Sequence, residues 1–162
     1  MVTSTEVMLA TLAAVVVTAS FPFYLYGAWI VLSVETVTWS VLMRHLRFIV
    51  TGLVLTTLPV VTWMAPRLLE QLSGFAALHA FLGLQAYAML VFALTGIVRI
   101  FQVKRQHDLY NDPTQDVDLA DLHENMGAWR GRLRIGVAGY VVFWLLAWIV
   151  GIARYFLRYN PV

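Results

Sequence analysis

Four histidines, His45, His79, His107 and His123, carry the widest chemical range in this chain. A neutral imidazole ligates iron or copper through one ring nitrogen and also relays protons near neutral pH. The chain has no cysteine, which removes disulfides, thiolate metal sites, iron–sulfur clusters and a thiol nucleophile. His79 lies in a stretch with no charged side chain before Arg99. An ionisable group inside a bilayer is costly and marks a functional candidate, although a neutral histidine bonded to a Thr or Tyr of a neighbouring helix fits equally well. His45 stands in Arg44-His45-Leu46-Arg47, a basic cluster that also suits lipid headgroups. His107 and His123 fall in a polar loop, where a histidine is commonly a plain surface residue. Met64 is a candidate second metal ligand beside His79. There is no Gly-rich phosphate loop, no H-E-x-x-H and no nucleophile elbow.

The elements that must position these residues follow from charge. Four runs contain no charged residue: Val7–Val34, Phe48–Pro66, Gln71–Val98 and Ile135–Ala153, of 28, 19, 28 and 19 residues. At about 1.5 Å per residue, even 19 helical residues span roughly 28 Å, enough for a hydrocarbon core of about 30 Å. Mean hydropathy is +0.75, with 60% hydrophobic and 12% charged residues. The expected fold is all-α: a single integral membrane domain over 1–162, a four-transmembrane-helix bundle with spans at about 7–34, 46–66, 71–101 and 133–156. Residues 1–6 contain no basic residue, so the first apolar segment reads as a retained span. Pro22 and Pro59 should each kink their helix, because each removes a donor to the carbonyl four residues earlier. Small residues at Gly83, Gly136, Ala147 and Gly151 suit close helix approach.

The loop at about 103–130 is the main polar region. Leu119, Leu122, Met126 and Trp129 recur in it at helical spacing, which predicts a short cytoplasmic amphipathic helix between helices 3 and 4. The acidic run Asp112, Asp116, Asp118 and Asp121 is a solvated face whose spacing fits no calcium loop.

Arg44, Arg47, Arg99, Lys104, Arg105, Arg130, Arg132 and Arg134 flank the first and third loops, against Arg67, Arg154 and Arg158 on the other side. Charge bias therefore predicts a cell-membrane protein with both termini outside and loops one and three cytoplasmic. The basic residues flank spans and form no separate patch, so a pI of about 9.2 does not point to nucleic acid. No carboxylate lies within a span, which argues against carboxylate-based ion transport.

This topology separates the histidines. His79 falls in the outer part of helix 3 and His45 at the inner surface, roughly 20 Å apart along the membrane normal at about 1.5 Å per residue. The two cannot ligate one iron.

The chain resembles a small four-helix membrane family linked to haem-copper oxidase biogenesis, whose members assist haem A insertion. The resemblance covers about residues 40–159. It rests on His45 with Arg44 and Arg47 opening helix 2, on Ala77-Leu78-His79 near the start of helix 3, and on His107 after helix 3. Trp144, Gly151, Tyr155 and Tyr159 complete it in helix 4. The family's third histidine sits shortly before helix 4, where this chain has Arg132-Leu133-Arg134, so His123 is an alternative equivalent. The resemblance implies a non-catalytic membrane factor for assembly or haem delivery in a respiratory terminal oxidase. The bilayer and a membrane-protein partner would be its surroundings. His45, His79, His107 and His123 would be the ligand candidates, with Arg44, Arg47 and Arg105 as propionate contacts. A b-type cytochrome or haem-bearing anchor is a second reading, and a cofactor-free structural subunit a third.

Overall fold

The computed structural model describes residues 3–67, 74–111 and 122–159. The fold is all-α, and four helices are long and apolar enough to cross a membrane. Helix α1 is Ser4–Leu32, α2 Trp39–Pro59, α3 Phe75–Gln106 and α4 Met126–Tyr159. α1 opens with a capping box. The Glu6 backbone N–H donates to Thr3 Oγ1 at 3.2 Å, and the Thr3 N–H donates to the Glu6 carboxylate at 2.9 Å.

The prolines behave differently. α1 runs unbroken through Pro22. After Pro59, α2 widens into a π-helical turn at Val60–Met64, closed by the Ala65 N–H on the Val60 carbonyl, and ends in a 3-10 turn at Ala65–Arg67. Pro59 leaves the ladder without a donor at its own position, and a widened turn is one way a helix accommodates that loss.

The helices outrun their apolar stretches, by most at the starts of α2 and α4. α2 begins at Trp39 rather than near 46, and α4 at Met126 rather than near 133. Hydropathy locates hydrocarbon, whereas backbone hydrogen bonding continues a helix into the polar boundary. The predicted surface helix falls largely outside the described residues, as do Asp112, Asp116, Asp118 and Asp121. Its last two apolar positions, Met126 and Trp129, belong to the first turn of α4. Arg130 is therefore helical, and the described connection after α3 starts at His107.

The chain forms two compact units. The first comprises Met1–Glu35, Ser40–Ala80 and Trp148–Val162. Here α1 packs on α2 through Gly27 and Gly52, and on the end of α4 through Thr11 and Thr18. The second comprises Thr36–Trp39 and Phe81–Ala147. Its core is the close crossing of α3 and α4. A Cβ on Gly136 would lie 2.6 Å from the Ala93 backbone nitrogen, and Gly96 meets the Trp129 carbonyl just as closely. Ala93 is 0% exposed. Gly83 has open space beside it, so it takes no part in this contact.

Large apolar side chains point outward in both units: Leu84 is 67% exposed and Leu157 73%. Small residues inside and large ones outside are the packing of a protein solvated by lipid.

Candidate functional site

His45 lies in the second turn of α2. Gly27 lets the two helices close: a Cβ there would meet Ile49 Cδ1 at 2.8 Å. The approach brings His45 Nδ1 to 2.7 Å from the Gly27 carbonyl. A carbonyl only accepts, so Nδ1 carries the proton and Nε2 keeps its lone pair. Metal-binding histidines are oriented this way, with one ring nitrogen donating to a carbonyl and the other left to ligate. Next to it, Arg44 donates to the Tyr26 hydroxyl and lies 5.6 Å from that ring's centroid. Tyr26 in turn packs edge-on against Phe48 at 4.6 Å. Arg47 is exposed, and its guanidinium has no partner among the described residues.

His79 occupies the other end of the same unit. Its ring lies against Gly151 of α4, with Arg154 one turn further along acting on it electrostatically. Neither ring nitrogen has a hydrogen-bond partner among the described residues. The neighbouring turns of α4 are tied to α1: the Tyr155 and Thr11 hydroxyls are 2.7 Å apart, and Trp148 Nε1 donates to Thr18 Oγ1 at 3.1 Å. Trp148 also meets Phe21 edge-on at 5.1 Å. Met64 closes the π-helical turn, and its sulfur takes no hydrogen bond among the described residues.

These ties measure the separation of the two histidines. Gly151 falls between Trp148 and Tyr155, hence level with about residue 15 of α1, while His45 is level with Gly27. Twelve helical residues amount to about 18 Å. The estimate matches the sequence-based one and is reached here through contacts.

In the second unit, His107 Nδ1 donates at 2.9 Å to the Val103 carbonyl, which also accepts from the His107 backbone N–H at 3.2 Å, and Nε2 is left open. His123 is used in the opposite sense. Its Nδ1 accepts from the Asn125 N–H at 3.1 Å, and its ring stacks on Trp129 at 4.4 Å. That arrangement caps the start of α4 and occupies the lone pair a ligand would need. Among the described residues, no three His, Asp or Glu side chains gather into a metal-binding group.

Arg105, expected as a propionate contact, lines a pocket of about 410 Å³ with Trp39, Asp108, Tyr110 and Asn111. The turn that builds it is a Schellman cap. The Leu109 N–H donates to the Lys104 carbonyl at 3.1 Å, and the Asp108 N–H to the Arg105 carbonyl at 3.2 Å. Asp108 takes the left-handed position, with φ of 55°. The chain then doubles back, so that the Tyr110 carbonyl accepts from the Trp39 N–H at 3.1 Å. The Trp39, Phe101 and Tyr110 rings cluster with centroids 5.7–6.2 Å apart. Sequence reasoning missed this pocket. The one local signal was an Asp just past a helix end, a residue type that tolerates the left-handed region.

The class defined by these features is an all-α membrane protein with four helices long and apolar enough to cross a bilayer. The chain belongs to the family described as Domain of unknown function (DUF7321), whose model matches residues 6–160. No curated protein and no solved structure matches it.

Proposed function

We propose that the protein is a non-catalytic membrane factor for assembly or haem delivery in a respiratory terminal oxidase, with His45 as its principal ligand residue. The observation that carries this reading is the Nδ1–H bond from His45 to the Gly27 carbonyl, which fixes the ring and leaves Nε2 as a base. Arg44, held on Tyr26, and Arg47 supply positive charge beside it for carboxylates such as propionates. His45 would hold a haem through Nε2, and the haem would supply an iron able to take a neutral imidazole nitrogen.

The separation of His45 and His79 favours delivery over a bis-histidine cytochrome. About 18 Å is too far for one iron, and a group held by one histidine has fewer bonds to break on release than one held by two. His79 is then a distinct outer site. His107, with Nε2 open, is the second cytoplasmic candidate, and His123 is the weakest of the four because its lone pair is engaged. In this reading both termini face outward, and the chain sits in the cell membrane beside a respiratory partner.

Optical spectra of the detergent-purified protein, oxidised and dithionite-reduced, with and without added haem, test it. A Soret band lost in His45→Ala and kept in His79→Ala is the expected result. Haem binding that survives His45→Ala overturns the assignment. No haem binding at all, with normal oxidase maturation in cells lacking the protein, leaves the cofactor-free structural subunit.

A further inference from the structure

Apart from Arg105, the pocket after α3 is made of groups that the haem-delivery reading does not use. It lies where α2 begins and α3 ends, at the boundary of two spans. Three of its lining groups are donors without partners among the described residues: the Arg105 guanidinium, the Tyr110 hydroxyl and the Trp39 indole N–H. Tyr110 is only 8% exposed, so its hydroxyl is a polar group held in a mostly buried ring. Among the described residues no buried side-chain polar atom is left without a partner, so the pocket's case rests on its charge and its place at the end of two spans.

Charge selects its sign. The Lys104 ammonium lies 5.3 Å from the Tyr110 ring centroid and adds to the field of Arg105. The one acid among the described lining residues, Asp108, has one carboxylate oxygen taken by the Asn111 amide, which donates to it at 2.6 Å. Among the described residues, two cations therefore face one partly satisfied carboxylate. Trp, Tyr, Lys and Arg are the residues that accumulate at headgroup level, and basic pockets there hold anionic headgroups. A volume of about 410 Å³ exceeds the needs of a lone phosphate and leaves room for a phosphodiester with its polar substituent.

We propose that this pocket binds a phosphate group at the membrane surface, through Arg105 and Tyr110, with an anionic phospholipid headgroup as the natural source. The guanidinium offers paired donors to two phosphate oxygens, Tyr110 donates to a third, and the Trp39 ring forms an apolar wall beside the glycerol.

The test is native mass spectrometry of the full chain in mild detergent with equimolar phosphatidylglycerol and phosphatidylcholine. Retention of one phosphatidylglycerol per chain in preference to phosphatidylcholine is expected. Arg105→Gln should weaken it by about tenfold and Tyr110→Phe by about threefold. Arg134→Gln, on an exposed position of α4, should leave it unchanged. Equal retention of the two lipids, or retention that Arg105→Gln does not alter, overturns the proposal. If Arg105→Gln does not fold, Tyr110→Phe and Trp39→Phe carry the test, and unchanged retention in both overturns it. Adding inorganic phosphate separates the sources: displacement of the lipid assigns the site to a free anion, and persistence assigns it to the headgroup. Haem absorbance is not read, so failure here is distinct from failure of the delivery reading.

Discussion

The His79 imidazole rests against the bare backbone of Gly151: a Cβ there would stand 2.9 Å from Nε2 and 3.0 Å from Cε1. The obstacle is the tip of a side chain with two rotatable bonds, so it can swing away. Gly151→Ala should therefore change stability little, since the roughly 0.5–1 kcal/mol gained from helix propensity offsets the repacking. The ring itself should move. Thermal melting in detergent reads the first effect, and the His79 ring signals in NMR read the second. A large fall in melting temperature with unmoved signals would refute the steric account.

Gly136 meets something that cannot swing. Its absent Cβ would overlap the Ala93 backbone, so Gly136→Ala should cost about 1–3 kcal/mol by forcing α3 and α4 apart. Gly83→Ala, with open space beside it, should be neutral or stabilising by up to about 1 kcal/mol. Denaturation midpoints of the two variants, measured side by side, check the ordering.

The histidines should differ in tautomer. His45 and His107, each donating from Nδ1 to a carbonyl, should be protonated at Nδ1 when neutral. His123, accepting at Nδ1, should be protonated at Nε2. Two-bond nitrogen–proton couplings in labelled protein distinguish the forms, and an Nε2–H tautomer at His45 would remove the basis for ligation.

Burial pushes the Tyr110 phenol above its ordinary value of about 10. The sign follows from linkage. The folded state holds this proton more tightly than the unfolded chain does. The contribution is thus complete below about pH 10 and is lost as pH rises toward the folded value. An ultraviolet titration of wild type minus Tyr110→Phe should show one phenol ionising late, and the stability difference between the two should shrink over the same interval.

Much of this was legible in composition. Uncharged runs alone located the spans, because hydrocarbon excludes charge over a length set by the bilayer. The helix ends were not legible: nothing in the hydropathy of Trp39 or Met126 says that a helix begins there. The depth argument separating His45 from His79 needed only the rise per residue. The partners of those two residues, Gly27 and Gly151, are fixed by which helix faces close, and no spacing within one helix contains that information. The same holds for glycine. Gly83 and Gly136 look alike in sequence, and only the facing helix distinguishes a contact from open space. The Trp39–Tyr110 pairing joins residues about seventy positions apart, a distance over which local pattern is silent.

The π-helical turn at Val60–Met64 makes α2 tolerant of a change in length at one point. A π turn holds one residue more than an α turn, so deleting a residue there can restore α geometry while both flanks keep their faces. The same deletion in the middle of α1 would rotate everything beyond it by about 100° and carry Thr18 and Tyr24 off their partners. Among relatives of this chain, single-residue indels within a span are thus expected after Pro59, with the remaining helices fixed in register.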